Sequence, residues 1–218
     1  MPYPQDDINR IIELIKEIES RKEHPNAAAT YKDIPALQEI DRIVNAQLDI
    51  QPRDRDTLVD SIGAMRYLGT AYEYMWRIAY AIRYYKRLLE LQAELLSRFG
   101  ENDENCNDDY YIALRTRNYY QKDSCDDLVE LAKELLAEGK RKEIEKQIFE
   151  DFHPLKHDPV ELTEAYLSVI DEVECRMDTA EVKKMHHFQR SDVFRQMLRE
   201  YGIEWRPVTV LNPGVRFD

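Results

Sequence analysis

Apolar residues recur along this chain with the three-to-four-residue spacing of amphipathic helices. The first such stretch begins at Asp6 or Asp7 and gathers five isoleucines on one side, Ile8, Ile11, Ile12, Ile15 and Ile18. A second stretch has Asp33 as its cap and Pro35 in its first turn. Its apolar stripe consists of Leu37, Ile40, Val44 and Leu48. Each helix has a single apolar face, so each must cover another part of the protein.

The segment from Asp56 to Phe99 is apolar on nearly all sides, which is typical of a central, buried helix. As one helix, about 42 residues would span roughly 63 Å, far more than a helix in a globular protein usually does. The pattern therefore leaves two alternatives open, one long helix or a helical hairpin. Gly100 ends the segment, and the polar, acidic residues 101–109 predict a loop.

Further helical patterns follow the acidic loop and end at Gly202. Residues 204–218 contain β-branched residues and two prolines, which predicts an extended tail. The predicted fold class is all-α, either an irregular helical bundle or a short helical stack around the long central helix or hairpin. We expect one domain over residues 1–203, with the tail at 204–218 packing on that domain or on a partner.

Composition narrows the functional classes. Lys and Arg number 31 against 43 Asp and Glu, so the formal net charge is -12. This charge disfavours nucleic acids and anionic membranes as partners. The chain has no apolar run of about 18 residues and no signal-like start, so we predict a cytoplasmic protein that does not enter a membrane. Cys106, Cys125 and Cys175 form no C-x-x-C pair and indicate reduced thiols, although one disulfide between two of them stays open.

The stretch Leu68-Gly69-Thr70-Ala71-Tyr72, with Ala81 thirteen positions after Leu68, resembles a tetratricopeptide repeat. The resemblance covers about Ile62 to Leu96, and a degenerate second copy covers about Asp109 to Leu136. It implies a stack of helix hairpins whose inner groove holds a partner peptide. The residues that it places along the groove are Arg66, Thr70, Glu73, Tyr74 and Arg77.

Tyrosine and arginine are abundant around the predicted groove, and the chain has 14 tyrosines in all. These two residue types dominate the hot spots of protein interfaces. The sequence therefore predicts a non-catalytic interaction module without a resident cofactor, whose groove receives a peptide or a helix. An inhibitor of the immunity or antitoxin type is one form of this hypothesis. The acidic loop would steer a basic partner, and a homodimer that exchanges tails is a further alternative.

The competing hypothesis is an enzyme, although the chain has no phosphate loop, H-E-x-x-H helix or nucleophile elbow. Its candidate metal ligands are Glu161, Glu164, Asp171 and Glu174, together with His153 and His157. The acidic pairs resemble those on the magnesium-binding helices of all-α nucleotide pyrophosphohydrolases. This resemblance implies a hydrolase that depends on Mg²⁺ or Mn²⁺.

Overall fold

The computed structural model describes residues 4–21, 29–120, 126–151 and 154–216. Every regular element within these ranges is a helix, which confirms the all-α fold class. The α-helices are α1 (Gln5–Arg21), α2 (Ile34–Leu48), α3 (Arg55–Tyr74), α4 (Ile78–Phe99), α5 (Cys106–Arg117), α6 (Asp126–Leu135), α7 (Glu138–Asp151), α8 (Glu164–Met177), α9 (Ala180–Lys183), α10 (His187–Glu200) and α11 (Val208–Leu211). Short 3-10 helices occupy Tyr31–Asp33 and Pro159–Leu162.

The chain separates into two compact units. The first consists of Met1–Thr116 with Asp127–Asp151, and the second of Arg117–Asp126 with Phe152–Asp218. The expected division into a domain at 1–203 and a tail at 204–218 does not coincide with this boundary. The tail instead belongs to the second unit, where its polar groups bond to the segment before α8.

The long apolar segment folds as a hairpin of α3 and α4 and not as one helix. Asp54 begins α3, because its carboxylate accepts a hydrogen bond from the Thr57 N–H at 2.9 Å. At the other end the Trp76 N–H donates to the Glu73 carbonyl and the Arg77 N–H to the Tyr72 carbonyl, both at 2.9 Å. This pair of bonds is the Schellman closure of a helix C-terminus, and it reverses the chain within three residues.

The apolar stripes of α1 and α2 differ in how closely they follow prediction. All four predicted residues of α2 are buried, as expected. In α1 the buried residues are Leu14 and Ile18, whereas Ile12 is 43% exposed. At 3.6 residues per turn Ile12 lies about 160° around the helix from Leu14, so the two cannot share a face.

Asp33 precedes α2 as predicted, but its carboxylate bonds to Arg21 and to the Thr30 N–H instead of capping the helix.

In the second unit, α10 ends at another Schellman closure. Gly202 has a φ of +76°, and the Ile203 N–H donates to the Leu198 carbonyl at 3.0 Å. The tail runs extended to Pro207 and then forms the single turn of α11, which the sequence did not predict. The Pro207 carbonyl starts this turn by accepting hydrogen bonds from the N–H groups of Val210 and Leu211. None of the helices in the described part of the chain combines the length and apolar composition that a bilayer crossing requires.

Candidate functional site

Arg66, the first predicted groove residue, is bonded inside the first unit. Its guanidinium donates to both carboxylate oxygens of Asp109, at 2.8 and 2.7 Å, and to Asp103 at 2.7 Å. The hydrogen bonds with Asp109 raise the pKa of Arg66 above its ordinary value. Arg66 therefore joins α3 to the start of α5, and its charge is already matched within the protein.

Asp109 is the centre of this buried polar cluster. The Asp109 side chain is 1% exposed and also accepts a hydrogen bond from the Gln92 side-chain amide at 2.6 Å. Burial raises the pKa of the neighbouring Cys106 thiol to about 11, so this group is a thiol at neutral pH. Cys106 and Cys175 form no disulfide in the described residues, and Cys125 lies outside them.

Glu73 is likewise held by internal partners. One carboxylate oxygen accepts from the Arg115 guanidinium, and the other accepts from the Tyr85 hydroxyl at 2.8 Å. Burial, followed by the nearby charge of Glu73, raises the pKa of Tyr85. Thr70 is half-buried beside the same hydroxyl. These contacts lock α3, α4 and α5 together and leave little of the predicted groove chemistry facing solvent.

Three of the six tyrosines of the hairpin, Tyr72, Tyr84 and Tyr85, are buried in its core. The buried ring of Tyr72 stacks on Tyr80 and Tyr84, with centroids 5.0 and 5.3 Å apart. Burial strongly raises the pKa of Tyr84 as well. Tyrosine abundance in this segment therefore reflects packing between α3 and α4 to a large extent.

The hairpin end, defined as Tyr74 to Arg77, is the part of the predicted region that does face solvent. Tyr74 is 63% exposed and Trp76 is 71% exposed. Arg77 is half-buried, and its guanidinium lies 5.6 Å from the centroid of the Tyr80 ring. Tyr74 and Arg77 were among the predicted residues, whereas Trp76 was not. The sequence feature that could have indicated Trp76 is a turn between two helices that contains no glycine.

The backbone of Trp76 makes its position unusual. Three described residues have positive φ, namely Gly100 at +69°, Gly202 at +76° and Trp76 at +61°, and each follows the end of a helix. Glycine is the residue that such left-handed closures usually carry, because a Cβ atom there costs about 1–2 kcal/mol. Trp76 therefore holds a backbone conformation that costs free energy while most of its side chain faces solvent.

In the second unit, Glu161 belongs to a different arrangement from the predicted metal site. Its buried carboxylate lies within hydrogen-bond distance of the Tyr120 hydroxyl at 3.0 Å, His157 Nδ1 at 3.1 Å and Trp205 Nε1 at 2.7 Å. The two carboxylate oxygens of Glu161, which a metal ion would need as ligands, are therefore already bonded to side chains of the protein.

The other predicted metal ligands do not join Glu161. Glu164, Asp171 and Glu174 lie on α8, which begins only after Thr163 has ended the preceding 3-10 helix. Among the described residues no group of three or more His, Cys, Asp or Glu side chains is arranged to hold a metal ion. His153 lies outside these residues.

Two further residues complete the contact between the tail and the segment before α8. Asp158 accepts hydrogen bonds from the Arg206 backbone N–H at 2.8 Å and from the Arg206 guanidinium at 2.9 and 3.2 Å. Lys156 and Asn212 exchange two hydrogen bonds at 2.9 Å through the Lys156 backbone. We call Lys156, Asp158 and Glu161 the tail site.

The pKa of Asp158 predicts how the tail responds to acid. Burial alone would raise this pKa, but hydrogen bonds from Arg206 and from the Val160 N–H hold it below the ordinary value of 3.8. The stabilisation is therefore complete above pH 3.8 and is lost as the pH falls through the lower folded pKa. We expect Asp158→Asn to weaken tail docking by about 2 kcal/mol at neutral pH and to flatten the acid response.

Hydrogen exchange of the Arg206 amide, expressed as protection factors and measured from pH 7 to about pH 2, checks this expectation. Asp192→Asn is the matched control, because Asp192 is exposed and pairs with Arg195 on its own helix. Equal protection of the Arg206 amide in the Asp158 variant and in the control would contradict the role of Asp158.

Comparison of the chain with protein-family models, curated proteins and solved structures finds no match in any of the three. The tetratricopeptide resemblance stays a prediction. The two helices of the hairpin, with 20 and 22 residues, together exceed the roughly 34 residues of one such repeat.

Proposed function

We propose that this protein is a non-catalytic interaction module that binds another protein through its hairpin end. The observation that carries the proposal is Trp76, which is 71% exposed and holds a left-handed backbone conformation at a helix closure. Selection for stability alone favours glycine there, as at Gly100 and Gly202. A contact between the exposed part of the tryptophan and a partner would offset the cost of that conformation.

The chemistry of the hairpin end suits an interface hot spot. Tryptophan, tyrosine and arginine are the residues most often found at such positions, and here they stand within four consecutive residues. Burying Trp76 and Tyr74 against a partner would remove a large apolar area from water. A rigid two-helix support also keeps the entropy cost of binding low.

The proposal moves the contact from the predicted groove to the end of the hairpin. Arg66 and Glu73 are matched by Asp109 and Arg115, so they offer less to a ligand than the sequence suggested. Part of the acidic loop is also engaged, because Asp103 bonds to Arg66 and Glu101 to Arg55. A basic partner, an inhibitor of the immunity or antitoxin type and a cytoplasmic location remain parts of the proposal.

The Trp76→Gly variant separates stability from binding. We expect it to raise the free energy of unfolding by up to about 1 kcal/mol, because glycine relieves the left-handed conformation. For a chain of this length that corresponds to a melting temperature higher by about 2–4 °C. Binding of the partner should weaken by a factor of 10 or more, as for loss of a hot spot worth about 2 kcal/mol.

Thermal unfolding and quantitative capture from the host's extract measure the two effects. The matched control is Phe188→Ala, which removes a half-exposed aromatic ring from the second unit. A protein retained by the wild type and the control, but lost from the Trp76→Gly variant, is the expected result. Equal recovery of that protein by all three chains would refute the proposal.

A further inference from the structure

The tail site recognises two consecutive residues of the tail by separate contacts. Glu161 accepts the indole N–H of Trp205 at 2.7 Å, and Asp158 accepts both the backbone N–H and the guanidinium of Arg206. The side chains of Glu161 and Asp158 are 9% and 5% exposed. Two carboxylates with this little exposure form a defined receptor for a Trp–Arg pair.

Other residues of the second unit hold the receptor in place without the tail. Tyr120 and His157 bond to the same carboxylate oxygen of Glu161, while Trp205 takes the other. The Val160 N–H donates to Asp158 at 3.2 Å. The acceptors therefore keep much of their orientation when the tail leaves, which lowers the cost of binding a replacement.

The tail is attached to α10 through one special residue. Gly202 adopts a φ of +76°, and this conformation turns the chain back so that Trp205 and Arg206 reach the tail site. Beyond these residues part of the tail is superficial, with Val210 and Val215 at least 45% exposed. The turn at Gly202 thus directs the tail back onto its own unit.

We propose that the tail site is a binding site for a Trp–Arg segment, and that the tail of a second copy of this chain can occupy it. A second copy carries the same Trp205 and Arg206, so every contact seen within the chain can form between chains. The covalent link favours the chain's own tail while the Gly202 turn is intact. When that turn is disfavoured, the exchange produces a two-fold dimer by domain swapping.

The Gly202→Pro variant of the full chain tests the exchange. Proline fixes φ near -65° and cannot adopt the turn, while all residues of the tail and of the tail site are retained. Light scattering over a series of concentrations should show a monomer for the wild type and a dimer for the variant. Gly202→Ala tolerates the turn at a cost and should give a dimer fraction between these two.

The control adds Trp205→Phe and Arg206→Gln to Gly202→Pro, which keeps an aromatic ring but removes the indole donor and the charge. We expect this chain to remain monomeric. Adding a synthetic peptide with the sequence of residues 203–216 should convert the Gly202→Pro dimer to monomers, and the same peptide with both substitutions should not.

Four outcomes would overturn the proposal. They are a Gly202→Pro chain that stays monomeric at every concentration, a control chain that also dimerises, a wild-type peptide that leaves the dimer intact, and a substituted peptide that dissociates it equally well. Circular dichroism of each variant, together with the result for Gly202→Ala, separates dimerisation of folded chains from association of unfolded ones.

Discussion

Replacing Asp109 with alanine should destabilise the first unit by about 3 kcal/mol, at the lower end of the range for a broken buried ion pair. Asp109 accepts two hydrogen bonds from Arg66 and one from Gln92, and its side chain is almost wholly buried. Its removal leaves a partly buried guanidinium and a buried amide without these acceptors. Because Asp103 still pairs with Arg66, the loss should not reach the upper end of that range.

Denaturant unfolding followed by circular dichroism measures this loss. Asp108→Ala is the matched control, since Asp108 precedes Asp109 in the first turn of α5 but is exposed. In the double variant Asp109→Ala with Arg66→Ala, part of the stability should return because the unmatched charge is gone. If Asp109→Ala costs no more than Asp108→Ala, the cluster is not a major source of stability.

The helical architecture could be predicted because helix faces leave a local record in the sequence. The apolar stripe of α2 and the continuous apolar character of α3 and α4 are visible within short stretches of sequence, and both segments are buried as their patterns predict. The choice between one long helix and a hairpin could not be made in this way. It depends on Trp76 adopting a conformation that tryptophan usually avoids, so apolar periodicity did not predict the turn, although the tetratricopeptide resemblance implied a hairpin.

The candidate site was predictable only where exposure follows from local sequence. Arg66 and Glu73 have partners on α5, more than 35 positions further along the chain, and such pairings have no periodic signature. Glu161 and Glu164 suggested one acidic helix face. In the structure Glu161 lies in a 3-10 helix and Glu164 begins α8, and Thr163 separates the two helices. An ion-paired carboxylate and a solvated one look the same in a sequence.

The contacts of the tail could not be predicted from its composition either. The sequence predicted a tail that packs on the domain or on a partner, and Trp205 does pack edge-on against Phe194 with ring centroids 4.9 Å apart. The described hydrogen bonds, however, come from Trp205, Arg206 and Asn212 to the tail site. The position of the tail therefore depends on directional polar contacts, which composition does not report.

Replacing Gly69 with alanine should destabilise the hairpin by about 2–3 kcal/mol, although alanine is the better helix former. A Cβ atom at this position would lie 2.6 Å from Cε1 and 2.9 Å from Cδ1 of Tyr85. The Tyr85 ring cannot move aside easily, because it is buried and its hydroxyl is bonded to Glu73. Relief of the clash must therefore separate α3 from α4 or break the contact between Tyr85 and Glu73.

Gly63 provides a matched control on the same helix, since a Cβ atom there would meet no atom within 4 Å. We expect Gly63→Ala to stabilise the protein by up to about 1 kcal/mol, because alanine loses less backbone entropy than glycine in a helix. Denaturant unfolding of the two variants should thus shift in opposite directions. If both variants are stabilised, the close contact between Gly69 and Tyr85 does not determine the spacing of the hairpin, and the rigid support that we assign to Trp76 loses its basis.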